Sequence, residues 1–250
     1  MFSIFKRKSP LVTDLGWLSV DIHSHLLPGI DDGSPDVETS ISLIRGLYEL
    51  GIHKFVCTPH IFKELYPNTD VTITAAFKVV KDRLQAEGMV VGLAAAAEYM
   101  VDENFSVMDG LICLPGKYLL IEMSYMNETP NIEQVVFDLQ IKGYNVILAH
   151  PERYNFYHLN LSRYERLKDL GCLFQLNLLS VTGYYGKDVK KTADYLLKNK
   201  LYDLAGTDLH HDKHLDALSR AVKSGDLYQH IGQYPFKNVP IFNIVKDFSH

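Results

Sequence analysis

The sequence predicts an α/β protein in which short parallel strands, each followed by a helix, build one sheet or barrel. Three observations carry this expectation. Apolar runs of strand length alternate with segments of helical period almost from end to end. Glycines stand where the helical segments should stop and the chain should turn left-handed. The chain has 250 residues, 47% of them hydrophobic, which suits a strand–helix barrel of roughly 200–250 residues with a sizeable core.

Taken in order, the elements are these. A strand at 18–23 leads to a helix at 37–50 closed by Gly51, and a strand at 54–58 leads to a helix at 72–87 closed by Gly88. A strand follows at 90–97. The link 101–116 lacks a long helix and delivers the chain to a strand at 118–123. A helix at 132–142 ends at Gly143, a strand follows at 145–149, and a helix at 162–170 ends at Gly171. The last units are a strand at 173–177, a helix at 188–199, a strand at 202–206 and a helix at 215–223. The strands are apolar runs rather than alternations, as in a parallel sheet covered by helices, and such alternation implies right-handed crossovers. No Pro/Gly/Ser-rich linker, repeat or low-complexity segment divides the chain. One domain over 1–250 is expected, with a flexible arm at 1–16.

Bulk properties exclude several classes. The net charge of −5 gives no reason to expect a nucleic-acid partner. The basic cluster Lys6-Arg7-Lys8 reads as a solvated arm. No apolar stretch is long enough for a signal peptide or a membrane span, and three scattered cysteines, Cys57, Cys113 and Cys172, point to a reducing cytoplasm. Cysteine-dependent phosphatases carry an arginine six residues after the nucleophile. Here those positions hold Lys63, Leu119 and Leu178, so that chemistry is set aside.

The carboxyl ends of parallel strands are where catalytic groups gather. The first strand ends in Asp21-Ile22-His23-Ser24-His25 and the second in Thr58-Pro59-His60. Glu98 follows the third strand, Glu122 ends the fourth and His150 follows the fifth in Ala149-His150-Pro151-Glu152-Arg153. Asn177 closes the sixth, and Asp208 and His210 follow the seventh. Every strand but the sixth therefore delivers a potential metal ligand to one face. Imidazoles and carboxylates bind Zn, Mn or Fe, and carboxylates can bridge two ions. The set implies a metal-dependent hydrolase. His53, His158, His230 and His250 read as loop or terminal histidines; His211 and His214 lie close enough to touch substrate.

These motifs resemble the PHP (polymerase and histidinol phosphatase) family, and within it the bacterial manganese-dependent protein-tyrosine phosphatases of capsular and exopolysaccharide synthesis. The likeness runs from about Val20 to His214. It rests on Asp21 to His25 with Leu27-Pro28-Gly29-Ile30-Asp31-Asp32-Gly33, then Thr58-Pro59-His60, Glu98-Tyr99, Ile121-Glu122, Ala149 to Tyr154 and Asp208-Leu209-His210. It implies a distorted TIM-like (β/α)7 barrel of PHP type and a three-metal cluster, with manganese as the ion ahead of iron or zinc. One ion would take His23, His25, Glu98 and Asp208. A second would take His60 and His210 with Asp31 or Asp32, and a third Glu98, Glu122 and His150. The implied activity is phosphoric monoester hydrolysis at phosphotyrosine by a metal-activated hydroxide. Arg153 would grip the phosphate, and Asp32, if not a ligand, would protonate the leaving oxygen. Tyr66, Tyr99, Tyr125, Tyr154 and Tyr157 are candidate walls for an aromatic substrate. The implied partner is a phosphotyrosine protein such as a bacterial tyrosine kinase of polysaccharide export. One departure stands out: where relatives often carry an arginine after the last Asp-x-His, this chain reads His211-Asp212-Lys213-His214, with Lys213 or His214 as the available substitute. The competing expectations are a small-molecule phosphatase, such as a histidinol phosphatase, and a non-catalytic metal-binding scaffold.

Overall fold

The computed structural model describes residues 11–242, so the Lys6-Arg7-Lys8 cluster and His250 lie outside the described residues. Within the expected arm, the chain joins the core earlier than residue 16. Leu15 is fully buried and its amide donates to the Leu50 carbonyl at 2.6 Å, because a leucine against the end of the first helix gains more from burial than from solvent.

Helix α1 (Val37–Glu49) starts where the Asp36 carboxylate accepts from the Thr39 amide, and buries Ile41, Leu43, Ile44 and Leu47 at helical spacing. Strands β1 (Lys54–Cys57) and β2 (His60–Ile61) follow. Helix α2 (Asp70–Ala86) opens on a reciprocal Thr69/Thr72 capping box. Then come β3 (Gly92–Ala95), β4 (Glu98–Met100) and β5 (Tyr118–Glu122), with no helix between the last two, as expected. Helix α3 (Ile132–Ile141), β6 (Asn145–Ala149), α4 (Ser162–Asp169), β7 (Leu173–Asn177), α5 (Lys187–Lys198), β8 (Leu204–Gly206) and α6 (Asp212–Lys223) continue the alternation. The chain then adds α7 (Asp226–Ile231) and α8 (Asn238–Phe242). His230 lies in α7 rather than in a loop, paired with Asp194 at 2.8 Å. The four helix-closing glycines all take positive φ.

All strand pairs are parallel, in sheets β1-β3 and β2-β4-β5-β6-β7-β8. The expected strands 54–58 and 90–97 form β1 and β3, and each is followed after a short break by a further strand, β2 beyond Pro59, which has no N–H to donate, and β4 from Glu98. The expected strand 18–23 is not a regular strand: Asp21 bridges Phe55 and Ser24 bridges Leu209. Its hydrogen bonds are divided between two neighbours. On one side Asp21 N donates to Lys54 O and Thr58 N to Ser24 O; on the other Asp208 N donates to His23 O and His25 N to Leu209 O. Pairing therefore runs round the strands from 20–25 and returns to it.

Strand alternation sorts the core into two layers. Leu120, Ile147, Ala149 and Leu204 pack with Val20, Ile22, Val56 and Ala96 in an inner cluster. Leu119, Ile121, Val146 and Leu148 pack outward with the helices. Phe242 of α8 joins the inner cluster, and Asn238 fixes that helix by donating to Val20 O and Ala205 O while accepting from Ala205 N. The same alternation that points Leu120 inward puts Glu122 inward one step later, where the strands end.

Candidate metal centre

At the carboxyl ends the inner face turns from apolar to polar. His23, His25, Glu98, Glu122, His150 and Asp208 are all buried there, and His60 and His210 are partly exposed. His23 Nε2 lies 3.1 Å from Glu98 Oε2 and 3.4 Å from Asp208 Oδ1. His25 Nε2 is 3.3 and 3.4 Å from the same two oxygens. His60 Nδ1 is 3.3 Å from Glu98 Oε2 and 2.9 Å from Glu122 Oε1. His150 Nε2 is 3.2 Å from Glu98 Oε1 but 3.9 Å from Glu122 Oε2. His210 Nδ1 is 3.4 Å from Asp208 Oδ1.

Glu98 is the centre of this arrangement. Four imidazoles surround it, yet neither of its buried carboxylate oxygens has a partner in hydrogen-bonding geometry. Leaving such a group unpaired in the interior costs several kcal/mol, about 3–5 for a broken buried pair, and buried charges persist when they are paired or coordinate a metal. The donor set fits a hard or borderline divalent cation. Ligand-capable atoms come within 4.8 Å of one another in four overlapping groups: His25/Asp32/His60/His210, His23/His150/Asp208, His23/His25/Glu98 and His60/Glu98/Glu122.

The electrostatics follow from the crowding. Burial alone would raise the Glu98 and Asp208 carboxyls, but the surrounding imidazoles, His23 first, hold both well below the usual range. Burial opposes charge on His60 as well, and Glu122 with Glu98 brings it up to about 9. Asp21 is pushed up to about 6 by burial, against the lowering effect of Thr207.

Two of the candidate ligands sit on strained backbone. His150 has φ 32° and Asp208 φ 50°, a region that costs a non-glycine residue about 1–3 kcal/mol and recurs at functional sites. Gly206, two residues before Asp208 at the end of β8, lets the chain approach the first segment: a Cβ there would meet His23 Cβ at 2.8 Å.

The adjacent acids separate cleanly. Asp31 Oδ2 accepts from His25 Nδ1 at 2.8 Å and from the His60 amide at 3.1 Å, and its Oδ1 accepts from the Gly33 amide. Asp31 therefore orients His25 from behind. Asp32 faces the cluster, with Oδ1 3.4 Å from His60 Nε2 and 3.5 Å from His210 Nε2. Burial would raise its carboxyl, but His210 outweighs that and holds it low. This position suits Asp32 to ion binding.

Arg153 Nη1 donates to Asp208 Oδ2 at 2.7 Å, and its guanidinium lies between the rings of Tyr125 (4.7 Å) and Tyr185 (4.3 Å). Of the tyrosines expected to line the site, Tyr125 does so and Tyr66 stacks on His60. The other three are core residues. Tyr99 OH accepts from the Ile112 amide, Tyr154 OH donates to Ala149 O, and Tyr157 OH donates to Glu128. They are large apolar bodies whose hydroxyls found partners inside, a distinction invisible in composition. His211 caps α6, His214 packs on Tyr184 and Tyr185, and Lys213 is exposed on the first turn of α6.

Sequence reasoning missed the residues behind the ligands. Gln175 Oε1 accepts from His23 Nδ1 at 2.9 Å and from the His150 amide, which leaves His23 Nε2 free for the cluster. Its signal was present: Gln175 is a polar residue inside an otherwise apolar strand run. Tyr185 lies in a loop and carried none. Burial pushes the Cys57 and Cys172 thiols well up and Cys113 to about 11, the opposite of the lowering that activates a thiolate. Among the described residues no helix is long and apolar enough to cross a membrane.

Residues 19–232 match the family described as capsular polysaccharide synthesis, CpsB/CapC. The chain is 30% identical over 198 residues to the tyrosine-protein phosphatase YwqE of Bacillus subtilis, covering 78% of each protein. A solved structure from the work on YwqE of Bacillus subtilis and CpsB of Streptococcus pneumoniae, described as unique metal-dependent tyrosine phosphatases, aligns with TM-score 0.77 at 28% identity over 86% of this chain and 89% of that one. An amidohydrolase from Mycoplasma synoviae aligns with TM-score 0.54 at 12% identity, over 90% of this chain and 88% of its own, a likeness of fold alone.

Proposed function

Because the chain belongs to the CpsB/CapC family of capsular polysaccharide synthesis, we propose that it is a metal-dependent protein-tyrosine phosphatase acting in that synthesis. The observation that carries the reading is Glu98, a buried carboxylate ringed by imidazoles with both oxygens lacking a hydrogen-bond donor. His23, His25, Glu98 and Asp208 would hold one divalent ion, His60, His210 and Asp32 a second, and Glu98, Glu122 and His150 a third. Manganese is our first choice, ahead of iron or zinc, and the mixed imidazole and carboxylate donor set is compatible with it. Such ions lower the pKa of a coordinated water and neutralise phosphoryl charge.

The chain's own groups supply orientation and charge. With Nη1 on Asp208, the remaining N–H groups of Arg153 are assigned to the phosphoryl oxygens, a fork-shaped contact an ammonium could not reproduce. Tyr66 beside His60 and Tyr125 beside His150 are assigned to the flanks of the substrate ring. Asp32 is assigned to ion binding in preference to proton donation. The physiological substrate would be a phosphotyrosine protein, such as a tyrosine kinase of polysaccharide export, met in the cytoplasm.

The test is initial-rate hydrolysis of a phosphotyrosine peptide with Mn²⁺ and with chelator, beside histidinol phosphate and a phosphoserine peptide. Chelator-sensitive hydrolysis selective for phosphotyrosine is expected. Turnover confined to histidinol phosphate would move the enzyme into small-molecule metabolism. Unchanged turnover in the His23→Ala/His25→Ala variant would sink the metal mechanism.

A further inference from the structure

Asp208 offers two oxygens, and the surroundings use them differently. Oδ1 faces the imidazoles of His23, His25 and His210, each 3.4 Å away. Oδ2 is already taken by two donors: Arg153 Nη1 at 2.7 Å and Asn177 Nδ2 at 2.8 Å. Asn177 closes β7.

The orientation of its amide is fixed by its neighbours. Asn177 Oδ1 accepts from the Leu179 amide at 2.9 Å, so the nitrogen must be the group facing Asp208. One hydrogen of Nδ2 goes to Asp208 and the other is placed for Tyr185 OH at 3.2 Å, so both of the amide's donors are used. The backbone is held too: Asn177 N donates to Glu152 Oε1 at 3.0 Å, and Glu152 Oε2 accepts from Tyr202 OH at 2.8 Å. Asn177 and Glu152 are fully buried. Tyr185, the amide's second acceptor, is also one of the two rings holding the Arg153 guanidinium.

We infer that Asn177 is a positioning residue that restricts Asp208 to a single coordinating oxygen and couples that carboxylate to Arg153 through Tyr185. With Oδ2 engaged by two donors, Asp208 presents Oδ1 alone, and its strained backbone is held in the one orientation that aims Oδ1 at the imidazoles. Without Asn177, Oδ2 keeps Arg153 alone, the carboxylate is free to rotate, and Tyr185 loses the contact that sets its ring against the guanidinium. The inference rests on the proposed metal-dependent reading, and its closing experiment separates the two.

The experiment compares the parent with Asn177→Ala and the near-isosteric Asn177→Asp. Mn²⁺ binding is measured by titration of metal-free protein, kcat and KM on a phosphotyrosine peptide by initial rates, and folding by circular dichroism and thermal melting. Outer groups that orient ligands typically govern about 10–100-fold in metal affinity or activity, so Asn177→Ala should weaken Mn²⁺ binding about tenfold or more. KM should also rise, because Arg153 loses its alignment. Asn177→Asp, which replaces the donor by a second acceptor beside Asp208, should lose at least as much metal affinity while keeping the fold. Parent-like Mn²⁺ affinity in folded Asn177→Asp would overturn the inference, as would a lowered melting temperature with unchanged affinity and KM in Asn177→Ala. A parent that binds none of Mn²⁺, Fe²⁺ and Zn²⁺ in the same titration would instead overturn the metal-dependent reading itself.

Discussion

Two buried acids at opposite ends of the strands differ in how far the protein satisfies their oxygens. Asp203 lies just before β8, at the amino ends. Its Oδ1 accepts from Lys237 at 2.7 Å, and its Oδ2 accepts from the Phe174 amide at 3.0 Å and from Lys168. Every lone pair of consequence is used, and the lysines hold the carboxyl below its usual range against the effect of burial. Glu98 sits at the carboxyl ends, more deeply buried, with both oxygens lacking such donors. Both are held low, so their titration would not tell them apart. Hydrogen-bond satisfaction does. The protein completes Asp203 itself, whereas Glu98 is left for a cation to complete on the proposed reading.

The sharpest way to break this comparison is to neutralise Glu98. Outer groups already govern about 10–100-fold in activity or affinity, so Glu98→Gln, a change in a proposed ligand, should reduce phosphotyrosine turnover by more than about a hundredfold. Bound Mn²⁺ should fall with it, measured by metal analysis after gel filtration. Parent-like metal content would mean that Glu98 is merely an awkward core residue. Next in size is Arg153→Lys, which keeps the charge and removes the fork. Loss of one charge-assisted hydrogen bond, about 1.5–3 kcal/mol, predicts roughly a 10–100-fold fall in kcat/KM, with metal content retained.

Asp203→Asn should behave in the opposite way. It should cost about 2–3 kcal/mol of stability, by analogy with other charged hydrogen bonds and broken buried pairs, while kcat per folded molecule and metal content stay at parent values. Denaturant melts beside steady-state rates would check both halves. The smallest effect is in the pH dependence of stability. Asp203 is lowered in the fold, so its contribution is fully present above the unfolded carboxyl value of about 3.9. It is lost as pH falls through the lower folded value. The acid limb of a stability–pH curve should therefore be shallower in Asp203→Asn than in the parent, and superimposable limbs would remove Asp203 from the account.

The alternation of strands and helices was legible because periodicity and helix-closing glycines are local signals. The eight residues at the strand ends were legible because a parallel fold converts sequence position into a shared face. What stayed hidden depends on contacts remote in sequence. The irregular first segment looks like a strand in composition, and only its divided bonding to 54–58 and 207–209 explains its form. Tyr154 and Tyr125 are the same residue type in neighbouring loops, yet one lends its hydroxyl to Ala149 O and the other its ring to Arg153. Asp31 and Asp32 are adjacent, and the partners that assign one to His25 and leave the other to the cluster come from separate elements. Helices α7 and α8 were missed because they are short and their apolar faces match surfaces formed by the rest of the chain.

The divided bonding of the first segment also governs when the site comes into being. His23 and His25 come from one end of the ring of strands and Asp208 and His210 from the other, and the Thr207–Asp21 contact beside them closes a separation of 186 residues. Contacts of that span form late, after shorter loops have condensed. A chain still emerging from the ribosome, or one whose last strand has not docked, holds imidazoles and carboxylates that do not yet face each other. On the proposed reading, hydrolytic competence would require the ring to be complete, and turnover would report finished folding.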